Sequence, residues 1–387
     1  MPLKIARSRE AAELLKSEAF RAQWLRLYEE CPWATVAQSP AFVTSWYELY
    51  KEYRPLLVCE FSASQEMIGL LPVAVHRSGR AVLPGARQAE YQSWLALPSN
   101  GTAFLEASLN LLSRRTAIDG LSFRYLPSGA PLHGAGTAAN LPWIYEVEAH
   151  RRPIVRLSDA AEVAEYLREK TNSTIRNSWN RLKKMGEVRL QRIGESDELL
   201  PIFDQLIEWY DIRQEMAHGK KAFERDHNKK PWHLRLLQAG LLHLTLLKLD
   251  EQIISAIFGL SDGKTCSVMM PIFAPEFGRY SPIAIHHLSL VQQLHADGYA
   301  VLDLTPGPDR FKERFAGAYE TVNVLSIYFR QRAWFKAKFR QQSRAFTKGM
   351  LSALGIEPSS VVRALPRIQA FLKWKKAERP TPKLSHT

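Results

Sequence analysis

The chain has 387 residues, a formal net charge of +13, and a composition that is 46% hydrophobic and 24% charged. That length predicts two domains rather than one core, and the apolar content excludes a disordered or fibrous chain. The cationic surplus points to anionic partners: nucleotide phosphates, nucleic acid or an acidic membrane surface.

The opening text, MPLKIARSREAAELLKSEAF, lacks the continuous apolar core of a secretion signal. No run of about twenty apolar residues reads as a membrane span. Amphipathic helical text follows in EAAELLKSEAFRAQWLRLYEE and SPAFVTSWYELYKEY, where Ser39 and Pro40 form a cap and first-turn pair. RPLLVCEFS and MIGLLPVAVHR read as a hairpin, with AVLPGA and YQSWLALP as short strands. TAFLEASLNLLSRR is helical by its apolar spacing, IDGLSFRYLP is a strand, and SGAPLHGAGTAANLP is a loop. Cys31, Cys59 and Cys266 are scattered and odd in number, which fits neither a disulfide framework nor a metal-binding pair. A reducing, cytoplasmic setting is the expectation.

The second half repeats this order. SDAAEVAEYLREKTNSTIRNSWNRLKKMG is helical and closes on Gly186; EVRLQRIG is a strand; SDELLPIFDQLIEWYDIRQEMAHG and KPWHLRLLQAG are helices. LLHLTLLKLD, QIISAIFGLSDG and TCSVMMPIF read as three strands joined by tight turns at Asp250-Glu251 and Asp262-Gly263. The expected fold is therefore α/β with mixed sheets in two tandem domains, 1–148 and 149–330. A basic helical extension and tail, 331–387, completes it. From Arg330, RQRAWFKAKFRQQSRAFTKGMLSALG holds seven Lys or Arg and no acidic residue, interleaved with Trp334, Phe335, Phe339 and Phe346.

The stretch FGRYSPIAIHHL carries the chemistry. The first amides of a helix lack internal partners and the peptide dipoles add positive charge there, so a helix start is a ready phosphate site. Ser281 is placed to cap, Pro282 sits where its missing N–H costs nothing, Ala284 is small, and Arg279 supplies a fork of donors. Arg279, Tyr280, Ser281, Pro282, Ile283 and Ala284 are the expected donor-binding set. Adjacent His286 and His287 point about 100° apart on a helix, which predicts one histidine facing the core or the cleft rather than a metal site.

This order of elements, with the basic helix ending at Gly186, LLKLDEQIISAIFGL, the YSP helix start and GYAVLDLTPGPDRFKERFAG, resembles the acyl-CoA-binding half of GNAT-fold acyltransferases. It is similar to the CelD/BcsL-like acetyltransferases, a GNAT branch related to the Fem-type aminoacyl transferases, over roughly residues 170 to 330. FVTSWYELY and EMIGLLPVAV resemble that family's first domain more loosely. GNAT enzymes carry a Gln/Arg-x-x-Gly-x-Gly/Ala pyrophosphate loop. Arg279, Pro282 and Ala284 stand at its defining positions, with proline removing one backbone donor, and Ile283 stands where the branch often has glycine.

The resemblance implies direct acyl transfer from acetyl-CoA or another acyl-CoA to an amine, with no tightly bound cofactor and no covalent enzyme intermediate. It implies a sugar, sugar nucleotide or polysaccharide precursor as acceptor, and exopolysaccharide synthesis as the setting. Asp303, Lys312 and Glu215 are the catalytic candidates. Tyr210, Arg213, His218 and Phe311 are those for the acceptor. No metal is expected. The first half, with no such loop in LPGARQAEYQSWLALP, is expected to wall the acceptor cleft. Two alternatives stand beside this: a Fem-like transferase using aminoacyl-tRNA, and a non-catalytic GNAT-like module. In the latter, residues 330–387 touch an anionic membrane, at the inner face of a cytoplasmic protein's membrane.

Overall fold

The computed structural model describes residues 3–132 and 143–353. Most of the loop expected at SGAPLHGAGTAANLP, and the tail from residue 354, lie outside them. The first half runs β1 (Lys4–Arg7), α1 (Ser8–Lys16), α2 (Glu18–Glu30), α3 (Pro40–Leu49), β2 (Tyr53–Phe61), β3 (Met67–His76), β4 (Ala81–Val82), β5 (Leu95–Ala96), α4 (Gly101–Arg115) and β6 (Gly120–Leu126). Then come β7 (Ile144–Arg156), α5 (Ala160–Lys170), α6 (Ser173–Met185), β8 (Val188–Ile193), α7 (Ser196–His218), α8 (Ala222–Arg225) and α9 (Lys229–Gln238). The chain continues with β9 (Leu242–Leu249), β10 (Gln252–Ser261), β11 (Thr265–Phe273), α10 (Pro282–Ala296), β12 (Val301–Asp303), α11 (Arg310–Phe315), β13 (Ala318–Tyr328) and α12 (Gln331–Ala353).

Local chemistry sets the boundaries. Ser39 Oγ accepts from the Phe42 amide at 3.2 Å with Pro40 in the first turn, as the sequence predicts. The single helix expected from Glu10 to Glu30 is two, because Ser17 ends α1 and its side chain caps α2 through the Phe20 amide. Asn172 divides α5 from α6 in the same way, accepting from the Ile175 amide. Gly186 ends α6 where a Cβ would meet the Asp250 carboxylate at 2.2 Å. That carboxylate accepts from the Glu187 amide, locking the β9–β10 turn to β8.

β1, β2, β3 and β4 form an antiparallel sheet in that order, with β5 also on β3. The second sheet has eight strands in the order β6-β13-β7-β12-β11-β10-β9-β8. The expected division at 148/149 falls inside β7, and β6 of the first half pairs with β13.

Each face of the larger sheet is covered. On one, α5, α6 and α10 pack Val163, Ile175, Leu290 and Val291 on Leu247, Ile257 and Leu302. On the other, Phe203 of α7 and Trp232 of α9 join Leu244 and Phe258 in a core that runs on into Trp24, Trp46 and Leu57 of the first half. Phe42 and Trp232 meet edge to face across that junction at 4.9 Å.

His286 and His287 of α10 face the core. Ser255 Oγ spends its hydrogen on the Ile272 carbonyl, so His286 Nδ1–H donates to Ser255 at 2.9 Å and its Nε2 accepts from Thr245. Tyr166 donates to the Phe315 carbonyl, so His287 Nε2–H donates to Tyr166 at 2.8 Å. Both rings are polar pins between helix and sheet.

Candidate active site

β11 and β12 run parallel over three pairs only, Thr265–Ser267 against Val301–Asp303; β12 then stops while β11 continues to Phe273. Beyond Ser267 the β12 side of β11 has no ladder, and a fork opens between Val268–Met270 and Leu304–Thr305. Thr305 has φ 64, a left-handed conformation rare for a β-branched residue. The Asp303 carboxylate holds its amide at 2.8 Å, and Lys312 Nζ donates to its carbonyl, its hydroxyl and the Pro306 carbonyl at 2.9–3.2 Å.

The fork opens on a cavity of about 1080 Å³ between the halves. Its floor is Ser267, Val268, Met269, Met270 and Thr305. One wall is α7 and α9 with Tyr210, His218, Lys229 and His233, and the other is Trp33, Arg87, Gln88, Glu90 and Tyr91 of the first half. Asp226 ties the walls together, accepting from Tyr50 Oη at 3.0 Å and from Gln88 Nε2 at 2.8 Å.

The titratable groups are tuned mainly by desolvation. Burial raises the Glu90 carboxyl against the opposing charge of Arg124, its ion-pair partner at 3.0 Å. Burial, then the Asp303 charge, lifts the Tyr91 phenol well above the tyrosine range. Burial lowers Lys229, whose ammonium lies 5.2 Å from the Tyr210 ring centre and 5.0 Å from that of Phe223. His233 donates from Nδ1 to the Lys229 carbonyl at 2.6 Å, and burial pushes it down to about 3.

The residues expected from the sequence divide. Tyr210 and His218 line the cavity. Asp303 is fully buried beside the fork, but it is no free base. It accepts from Ser267 and the Thr305 amide and pairs with Arg152 at 3.1 Å. Lys312, a catalytic candidate from the sequence, donates its hydrogens to the Thr305–Pro306 loop. Glu215 is exposed on α7, away from the wall. Arg213 is a strut, donating to the Pro271 carbonyl, and the half-buried Phe311 meets His287 edge to face and tilts against Phe315 at the margin of the core.

At the start of α10, Ser281 makes no side-chain cap. It has φ 51, and its carbonyl accepts from Ala284 and Ile285. Tyr280, Pro282 and Ala284 are buried, Ser281 and Ile283 half-buried, and Arg279 is exposed with its guanidinium 4.8 Å from the Tyr280 ring centre. The entrance lies on the α6 side of the sheet, outside the cavity.

Sequence reasoning did not single out Glu90, Tyr91, Arg152 or Lys229. A signal existed for Arg152: a carboxylate inside VLDL requires a buried cation, and RRPIVR offers one in a strand. The others are polar residues in loop or amphipathic text, where spacing says nothing about a shared cavity.

Residues 169–313 match a family model described as an acetyltransferase (GNAT) domain. No curated protein matches the chain. Solved structures show the fold. FemX is 11% identical with TM-score 0.54, covering 82% of this chain and 98% of that one. A conserved protein of unknown function from Bacteroides thetaiotaomicron is 13% identical with TM-score 0.52, covering 81% and 97%. The C-terminal domain of a putative lysylphosphatidylglycerol synthetase from Agrobacterium fabrum is 12% identical with TM-score 0.51, covering 82% and 92%. The mixed α/β architecture expected from the sequence is thus that of the GNAT fold.

Proposed function

We propose that the chain is a GNAT-type N-acyltransferase of the CelD/BcsL-like branch, moving an acyl group from acyl-CoA to an amine on a sugar or polysaccharide precursor. One observation carries this reading: β11 and β12 part beyond Ser267 and Asp303, and Ser267–Met270 and Thr305 at the split line the cavity between the halves. A donor anchored by its diphosphate near Arg279 and the Ile283 amide would thread its thioester through the fork. The exposed cations of α6, Arg176, Arg181, Lys183 and Lys184, add to the positive field at that entrance. The unladdered edge of β11 offers amides to the carbonyl oxygen as it gains charge. The Glu90 carboxylate, made more basic by burial, takes the proton of the attacking amine. Tyr91 keeps its hydrogen at neutral pH and gives it to the departing thiolate as the amide bond forms and the C–S bond breaks.

Calorimetry of the purified chain with acetyl-CoA tests the donor. Micromolar binding is expected, weakened about tenfold in Arg279→Ala, the scale of one charged hydrogen bond. Absence of binding by any CoA thioester removes the acyl-CoA reading. Lys312 is a positioning residue, so Lys312→Met is expected to lower kcat about 100-fold while KM for the donor stays within about threefold. A matching rise in KM would instead put its ammonium on the substrate.

A second reading keeps the chemistry and changes the donor to aminoacyl-tRNA, as in the Fem-type enzymes the sequence resembles. The net charge of +13 and the fold shared with FemX support it. Transfer RNA retained at low salt and released at moderate salt would favour it over acyl-CoA.

Peripheral membrane contact is proposed for α12. Trp334 and Lys338 anchor this helix on Glu146, while Phe335 and Phe339, one turn apart, are 61% and 73% exposed. Cosedimentation with phosphatidylglycerol vesicles is expected, with at least a fivefold loss in Phe335→Ser/Phe339→Ser. Equal binding by that variant would clear the helix of this role.

A further inference from the structure

Among the described residues, four of the nine buried side-chain polar atoms without a hydrogen-bond partner belong to residues walling the cavity: Tyr91 Oη, Arg152 Nε, Trp232 Nε1 and His233 Nε2. Buried polar groups are nearly always paired, so four beside one cavity leave hydrogen-bonding capacity in its wall that the described residues do not meet. The set has a definite sense. Arg152 and Trp232 have only hydrogens to offer, while that of Tyr91 is the one assigned to the thiolate. His233 has a lone pair at Nε2, because its Nδ1–H is spent on the Lys229 carbonyl.

Charge sharpens this. Arg87, Lys220, Arg225 and Lys229 line the same cavity, and none forms an ion pair among the described residues. The nearby carboxylates are engaged: Glu90 with Arg124, Asp226 with Tyr50 and Gln88, and Asp262 with the Lys264 and Thr265 amides. Arg87, Lys220 and Arg225 are exposed and Lys229 feels the Asp226 and Asp211 charges, so the wall keeps a positive surplus, with N–H donors against a single acceptor.

We propose that the acceptor amine is a molecule that also carries a phosphate or carboxylate, held by the unpaired Arg87, Arg225 and Lys229 and the orphaned donors of the cavity wall. The inference rests on the acyl-transfer reading and names its acceptor class. A neutral amine would leave those cations and N–H groups without partners, while an anionic one satisfies both from a single group. His233 Nε2 would take a hydrogen from a hydroxyl or amine of the same molecule.

Calorimetry of the full chain with two matched pairs tests this: glucosamine 6-phosphate against glucosamine, and lysine against 1,5-diaminopentane. The member of at least one pair that carries the phosphate or carboxylate is expected to bind tenfold or more tightly than the partner lacking it, and which pair discriminates identifies phosphate or carboxylate. Arg225→Gln/Lys229→Gln, checked for an unchanged melting temperature, is expected to remove most of that preference. Equal binding within both pairs, no binding by any of the four at millimolar concentration, or a preference that survives in Arg87→Gln/Arg225→Gln/Lys229→Gln would overturn the proposal. Thiol release from acetyl-CoA, measured in parallel, separates the two readings. Turnover without anion preference refutes only the inference, and anion preference without turnover of any activated donor refutes only the transferase.

Discussion

Lowering the pH from 7 to 5 is expected to destabilise the folded chain by about 5 kcal/mol or more, as much as the whole stability of many domains. The cause is four buried imidazoles. His233, His286 and His287 are pushed down to about 3 and His243 to about 4, in each case first by burial. Arg192 lowers His243 further against the opposing Asp297, and His287 and His243 lower His286. In the unfolded chain each ring titrates near 6.5, so between that value and the folded one the unfolded state binds more protons. Stability is complete above about 6.5 and falls with pH by up to about 1.4 kcal/mol per unit for each ring. Urea unfolding at pH 7, 6 and 5 measures the slope. His286→Gln, which keeps partners for Thr245 and Ser255, is expected to remove about one proton from it. A slope unchanged by that variant would mean His286 does not titrate between the two states.

Arg152→Met is expected to cost about 3–5 kcal/mol, because it strands the Asp303 carboxylate in the interior. Asp303 is fully buried and the Arg152 side chain 18% exposed, so solvent screens the pair little. The second partner of Arg152, Glu320, is 36% exposed, and Glu320→Gln is expected to cost under about 1 kcal/mol. Adding Asp303→Asn to Arg152→Met removes the unpaired charge and keeps an acceptor for the Thr305 amide, so much of the loss is expected to return. Urea midpoints for the three variants form the check. A loss below about 1 kcal/mol in Arg152→Met would show that water reaches the pair.

The sequence told most about elements whose pattern is local. Ser39-Pro40, the three-strand run from Leu242 to Phe273 and the helix start at Pro282 all lie where their spacing placed them. It told less where a side chain answers to distant partners. Asp303 reads as a catalytic candidate because VLDL is apolar, yet its carboxylate is paired with Arg152, more than a hundred residues away. Lys312 reads as a free cation, yet the Thr305 backbone turns back to collect all its hydrogens. The cavity has no motif, because its walls come from a loop before β5, the ends of α7 and α9, and the fork itself. Pairing of β6 with β13 was likewise invisible, since an alternating strand does not declare its neighbour.

That last pairing bears on how the chain is made. As the ribosome extends it, the segment Gly120–Leu126 emerges with no ladder partner, and among the described residues the strand that supplies one, Ala318–Tyr328, follows all the others. Closure of the larger sheet must therefore wait until every other described strand has been made. An open strand edge persists until then, a natural client for a chaperone.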